Sequence, residues 1–152
     1  MPGSQVIFIL LISVISSLCP SAAAQAAELP TKWAGTYSPH NESDTDYYHV
    51  ILDQIIIRQN TIMAVGHGRY FDEGYVAEIK MEWIINKTTL FIQMWDAAPA
   101  ASNGNYDSDG VYKGSISSDL QSILAIWHNR DNNNSGTLKL EAVERFPDYS
   151  KK

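Results

Sequence analysis

The groups in this chain that could do chemistry are loop oxygens, histidines and aromatic rings. Asp131-x-Asn133-x-Ser135-Gly136 and Asn105-x-Asp107-x-Asp109-Gly110 both show the alternating donors and closing glycine of a calcium loop. An EF-hand loop also needs a bidentate glutamate at its twelfth position to complete a shell of hard oxygens. Counted from Asn105 that position is Ile116, and counted from Asp131 it is Ala142. Asn, Asp and Gly also tolerate the left-handed backbone of tight links and bond their own main chain. Residues 129–136 therefore read as a hairpin turn, while 103–110 leaves a loose calcium site open. His40, His49, His67 and His128 have no metal-ligand spacing, so no zinc site and no cofactor is expected.

Catalytic patterns are missing from the sequence. There is no G-x-S-x-G, no phosphate-binding loop and no Rossmann glycine pattern, and the sole cysteine is Cys19. The carboxylates Glu42, Asp44, Asp46, Asp72, Glu73, Asp107 and Asp109 fall in or beside loops, and nothing selects an acid–base pair among them. They read as solvated surface, and the expectation is a protein that is not an enzyme.

The rings carry more. Tyr75 and Trp83 share one face of a segment, Trp127 is in register with Ile123 and Ala125, and Tyr112 with Gly114 and Ile116. Turned inward, Tyr75, Trp83, Tyr112 and Trp127 would line a small-molecule pocket, which is characteristically aromatic with a few polar groups. The same rings would serve as plain core, because an eight-stranded barrel is just wide enough to be filled by its side chains. Gly114 and Ala125 on those faces leave room. A second candidate is "VGHGRYFDEG" (65–74), with His67, Arg69 and Tyr70 between glycines and an acidic turn. It reads either as strand curvature or as a protruding loop that enters a partner's cleft.

The elements that must position these residues are strands. Apolar and polar residues alternate with period two, without a long run at helical spacing. The clearest stretch is "YVAEIKMEWII", where Tyr75, Ala77, Ile79, Met81, Trp83 and Ile85 oppose Glu78, Lys80 and Glu82. Eight strands are expected, at 31–37, 47–58, 61–70, 75–85, 88–95, 111–117, 121–128 and 136–145. The stretch 96–110 reads as the longest break, with a helical turn near 97–102, and 147–152 as a fraying tail. Short sequential strands joined by hairpin-length links fit an all-β, eight-stranded antiparallel up-and-down barrel, with an antiparallel β-sandwich as the alternative.

Residues 6–18 are an apolar run followed by small residues, the layout of a secretory signal peptide cut after Ala24 or Ala26. The expected domain over 27–146 is then free of cysteine, and its core must hold without disulfides. An exported location, periplasmic or secreted, follows. The net charge of −6 argues against nucleic acid as a partner. Asn41, Asn86 and Asn133 fit glycosylation acceptor patterns, which matter only in a eukaryotic host, and the Ala-rich cleavage region points to a bacterial one.

Trp33-x-Gly35-x-Tyr37 in the opening strand resembles the lipocalin–avidin (calycin-type) group of small barrels. So does the end of the chain, where Gly114, Ile123-Leu-Ala-Ile-Trp127 and a strand led by Gly136 are similar to the closing hairpin of avidin-type barrels. The resemblance implies a binder of small ligands that can assemble into oligomers. It also implies that Trp33 packs under a late arginine, Arg145 or Arg130. Avidin-type biotin sites carry an Asn and Ser pair just after the first tryptophan; Ala34, Gly35, Thr36 and Tyr37 stand there, so biotin is not expected. Separately, Gly66-His67-Gly68-Arg69-Tyr70 resembles the partner-binding loop of periplasmic lysozyme inhibitors, without that family's serine or disulfide. The sequence thus supports an exported, non-catalytic binding protein for a small, largely apolar or aromatic ligand. The alternative is a protein inhibitor or immunity-type factor acting through Gly66–Tyr70.

Overall fold

The computed structural model describes residues 28–101, 110–129 and 133–149, with backbone alone over 97–101. The expected signal segment, most of the 103–110 loop and Arg130 lie outside the described residues. Eight strands follow in order: β1 Lys32–Pro39, β2 Asp46–Ile57, β3 Thr61–Asp72, β4 Tyr75–Asn86, β5 Phe91–Ala101, β6 Gly110–Ile116, β7 Ser122–Asn129 and β8 Ser135–Ala142. Each pairs antiparallel with the next, and β1 pairs with β8 to close a barrel. The expected barrel is the observed fold, and the sandwich alternative is excluded by that closing pair.

Alternation decides which way each strand faces. In β4, Ala77, Ile79, Met81, Trp83 and Ile85 are buried while Val76, Glu78, Lys80 and Ile84 are exposed. The interior has two halves. At the end where β1 begins, Trp33, Ile62, Trp83, Ile85, Ile92, Ile116, Ile123 and Leu140 form a dry apolar core, sealed by Leu29 and Leu120. The indole of Trp33 donates to the Pro30 carbonyl at 2.8 Å, which ties the segment before β1 across that end. At the opposite end, where β1 finishes and β2 starts, the inward positions are filled mainly by tyrosines and polar residues.

Three expectations are corrected here. The stretch 96–101 is strand rather than break or helical turn, because β5 runs on to Ala101 along β4 with register shifts at Glu78/Ile79 and Lys80/Met81. Pro99 lies between those two bulges of β5, and the pairing with β6 among the described residues runs from Phe91↔Ser115 to Trp95↔Val111. The tail through Tyr149 does not fray. Phe146 stacks on His49 at 4.3 Å and Tyr149 lies against Tyr47 at 4.6 Å, which fixes the tail to the outer wall of β2. Finally, the ring contact of Trp33 is Trp83 rather than an arginine; the centroids are 5.5 Å apart, edge to face, and Arg145 is exposed. A second buried aromatic fills the place expected for a cation.

Candidate functional site

The inner wall at the end opposite Trp33 is a belt of rings. Tyr75 on β4 meets Tyr70 on β3 at 6.4 Å, Tyr70 meets Tyr48 on β2 at 5.3 Å, and Tyr48 meets Tyr37 on β1 at 6.3 Å. Tyr37 then meets Trp127 on β7 at 6.0 Å, edge to face. The hydroxyls of Tyr48 and Tyr112 lie 3.2 Å apart, which brings β6 into the same wall. Edge-to-face geometry of this kind is the favourable arrangement for aromatic quadrupoles. The belt exists because Gly110 and Gly136 carry no side chain. A Cβ at Gly110 would sit on the Trp127 indole, and one at Gly136 on the Tyr37 ring. Tyr37, Tyr70 and Tyr75 remain partly exposed, whereas Tyr48, Tyr112 and Trp127 are buried beneath them.

Three of the four residues expected to line a pocket, Tyr75, Tyr112 and Trp127, thus come together. Trp83 does not join them. It lies in register with Met94, Tyr112 and Trp127, but its ring contact is Trp33 in the sealed half. Barrel strands are tilted, so a row of paired residues climbs from one end of the barrel to the other. The sequence marks Tyr37 only as part of the opening-strand motif and does not mark Tyr48, because adjacent Tyr47-Tyr48 gives no cue to which ring faces in.

The partner-binding candidate is corrected in its geometry. Residues 65–72 belong to β3 and are not a protruding loop; the chain reverses in a tight Glu73-Gly74 turn with positive φ at both residues. Tyr70 points inward, while His67 and Arg69 project from the outer wall. There they line, with His49, Glu78, Lys80 and Phe146, a groove of about 430 Å³. His67 is held by Asp53 at 2.7 Å and Arg69 by Glu78 at 3.7 Å, both exposed pairs of small energetic weight. Among the described residues no group of three or more His, Cys, Asp or Glu could hold a metal ion.

One charge belongs to the belt. Asp46 opens β2 on its inward face, is only 5% exposed, and accepts the Tyr70 hydroxyl on Oδ2 at 2.7 Å. Burial pushes its carboxyl up to about 6, against the Tyr70 hydrogen bond, with the negative charges of Asp72, Glu42 and Asp44 adding to the rise. The Tyr70 hydroxyl is in turn driven far up by burial and by that carboxylate. An acid raised in the folded state stabilises the fold when protonated. That contribution is complete below its ordinary value of 3.8 and is lost as pH rises through about 6. Asp46→Asn is therefore expected to be more stable than wild type by about 1 kcal/mol at neutral pH, allowing for water at the mouth, and equal to it in strong acid. Urea melts at the two pH values check this; an equal difference at both would refute it.

Three donors of the barrel interior have no acceptor among the described residues. Tyr75 Oη, Trp127 Nε1 and, in the sealed half, Trp83 Nε1 are buried without a hydrogen-bond partner. Native interiors leave few such groups, and each calls for an explanation. No family model and no curated protein matches the chain. The calycin-type likeness accordingly stands on architecture alone: a closed, eight-stranded, antiparallel barrel, sealed at one end and ringed with aromatics at the other.

Proposed function

We propose that the protein is an exported, non-catalytic binder that holds a small, largely apolar or aromatic molecule at the ring-lined end of its barrel. The observation that carries this reading is the pair of buried donors in the belt, Tyr75 Oη and Trp127 Nε1, which have no partner among the described residues. A buried N–H or O–H left unmade costs about 1–3 kcal/mol, and a ligand acceptor placed among the rings would recover that cost. The rings themselves offer large apolar area with few rotatable bonds, as small-molecule sites do. The apolar run and Ala-rich segment at 6–26 support export.

Native mass spectrometry of protein recovered gently from the exported fraction tests it. The wild type is expected to carry a species of a few hundred daltons that Trp127→Ala loses while remaining folded by circular dichroism. A wild-type barrel that travels bare sinks the reading.

A further inference from the structure

Within that reading, on which this inference rests, the belt also states what charge its ligand carries. We infer that the ring-lined end selects a small organic cation, its ammonium group seated against the Asp46 carboxylate and its body among the rings of Tyr37, Tyr48 and Tyr70. The first support is geometric. Asp46 lies on the inward face beside Tyr70, whose ring meets Tyr48, which in turn meets Tyr37. A carboxylate set beside a run of tyrosine rings is an arrangement that attracts an ammonium group. Each ring adds a cation–π attraction, and the attraction grows where water is excluded.

The second support is the sign of the surroundings. The charges that bear on Asp46 are Asp72 at the end of β3 and Glu42 and Asp44 in the loop before β2, all negative. The salt bridges of the described residues, His67–Asp53 and Arg69–Glu78, are on the outer wall. A mouth of this kind draws cations in and repels anions. The third support is independent of charge. Trp127 is 7% exposed, its Nε1 has no partner among the described residues, and its ring meets Tyr37 of the same belt. A donor in that position asks for an acceptor on the ligand, such as a hydroxyl or carbonyl oxygen. The ligand class is therefore an amine with an aromatic or apolar body and at least one hydrogen-bond acceptor.

Three matched probes separate charge from shape: tyramine, its alcohol counterpart tyrosol, and the corresponding carboxylate, para-hydroxyphenylpropionate. Calorimetric titration of the full protein at mildly alkaline pH is expected to show tyramine binding about tenfold or more tightly than tyrosol, with the carboxylate weakest. Asp46→Asn, which keeps an oxygen to accept the Tyr70 hydroxyl, should bring tyramine down to tyrosol and leave tyrosol unchanged. Its circular dichroism and melt confirm that it folds. Tyramine affinity should also fall as pH drops below about 6, where Asp46 takes up its proton, while tyrosol stays level. Tyrosol or the carboxylate binding wild type as tightly as tyramine overturns the cation assignment and leaves the barrel reading standing. Binding of no probe overturns it as well, and a bare native mass spectrum would then remove the barrel reading too.

Discussion

Gly35→Ala is expected to prevent the barrel from closing, with a loss of more than about 4 kcal/mol or no folded protein at all. Gly35 sits on β1 opposite Tyr48 of β2 and Leu140 of β8. A Cβ there would fall 1.8 Å from the Lys139 carbonyl oxygen and 2.9 Å from the Leu140 Cα, both backbone atoms of β8. No rotamer change relieves a clash with main chain; the two strands would have to part and give up their ladder. Gly74→Ala makes the informative control. At φ +85° it meets nothing within 4 Å, so it suffers only backbone strain of about 1–2 kcal/mol. Urea denaturation followed by near-ultraviolet circular dichroism measures both. A Gly35→Ala protein within about 1 kcal/mol of wild type would show that β1 and β8 lie further apart than described.

The second large effect is Trp83→Ala, expected to cost about 3–5 kcal/mol. Trp83 is 1% exposed and meets Trp33 edge to face, so truncation leaves a void in the sealed half and exposes the face of a second indole to it. Trp83→Phe provides the contrast. It keeps most of the ring and removes the indole N–H that has no partner, so its cost should be about 1 kcal/mol or less. Equal losses for Ala and Phe would mean that the N–H, and not the ring, is what the core needs. Neither substitution touches the belt. A bound species that survives Trp83→Phe but not Trp127→Ala would place the ligand at the ring-lined end.

Fold class was legible because period-two alternation survives in nearly every strand, and β4 shows it without interruption. What misled was punctuation. Ala97-Ala98-Pro99 reads as a break when taken alone, yet two bulges in β5 keep it paired with β4 as strand. Glycines 66 and 68 left strand curvature and a protruding loop open; they mark where β3 presses on β2, since a Cβ at Gly66 would meet the Ile51 carbonyl, and one at Gly68 that of His49. The site was half legible. Tyr75, Tyr112 and Trp127 could be placed on inward faces, but which rings share a level depends on strand tilt, a property of the closed ladder and of no single segment. That tilt sends Trp83 to the sealed end and brings in Tyr37, Tyr48 and Tyr70. Asp46 was visible only as one more loop carboxylate, because burial is decided by the neighbours that the barrel supplies.

The pairing of β1 with β8 also sets a clock. Every other ladder joins strands adjacent in sequence, from Lys32↔Ile51 to His128↔Ser135, and can form as a local hairpin. Trp33↔Ala142 joins the two extremes of the domain. Its closure must wait for the meander to assemble, because the chain entropy of bringing distant segments together is spent before that contact returns anything. A chain caught before closure presents two raw strand edges, one from each end, ready to pair with a neighbour's. Once closed, the ladder has no free end from which to fray. Its slowest amides should therefore exchange with solvent only when the ring itself breaks, so that one rate governs both how long the native protein lasts and how often it is exposed to aggregation.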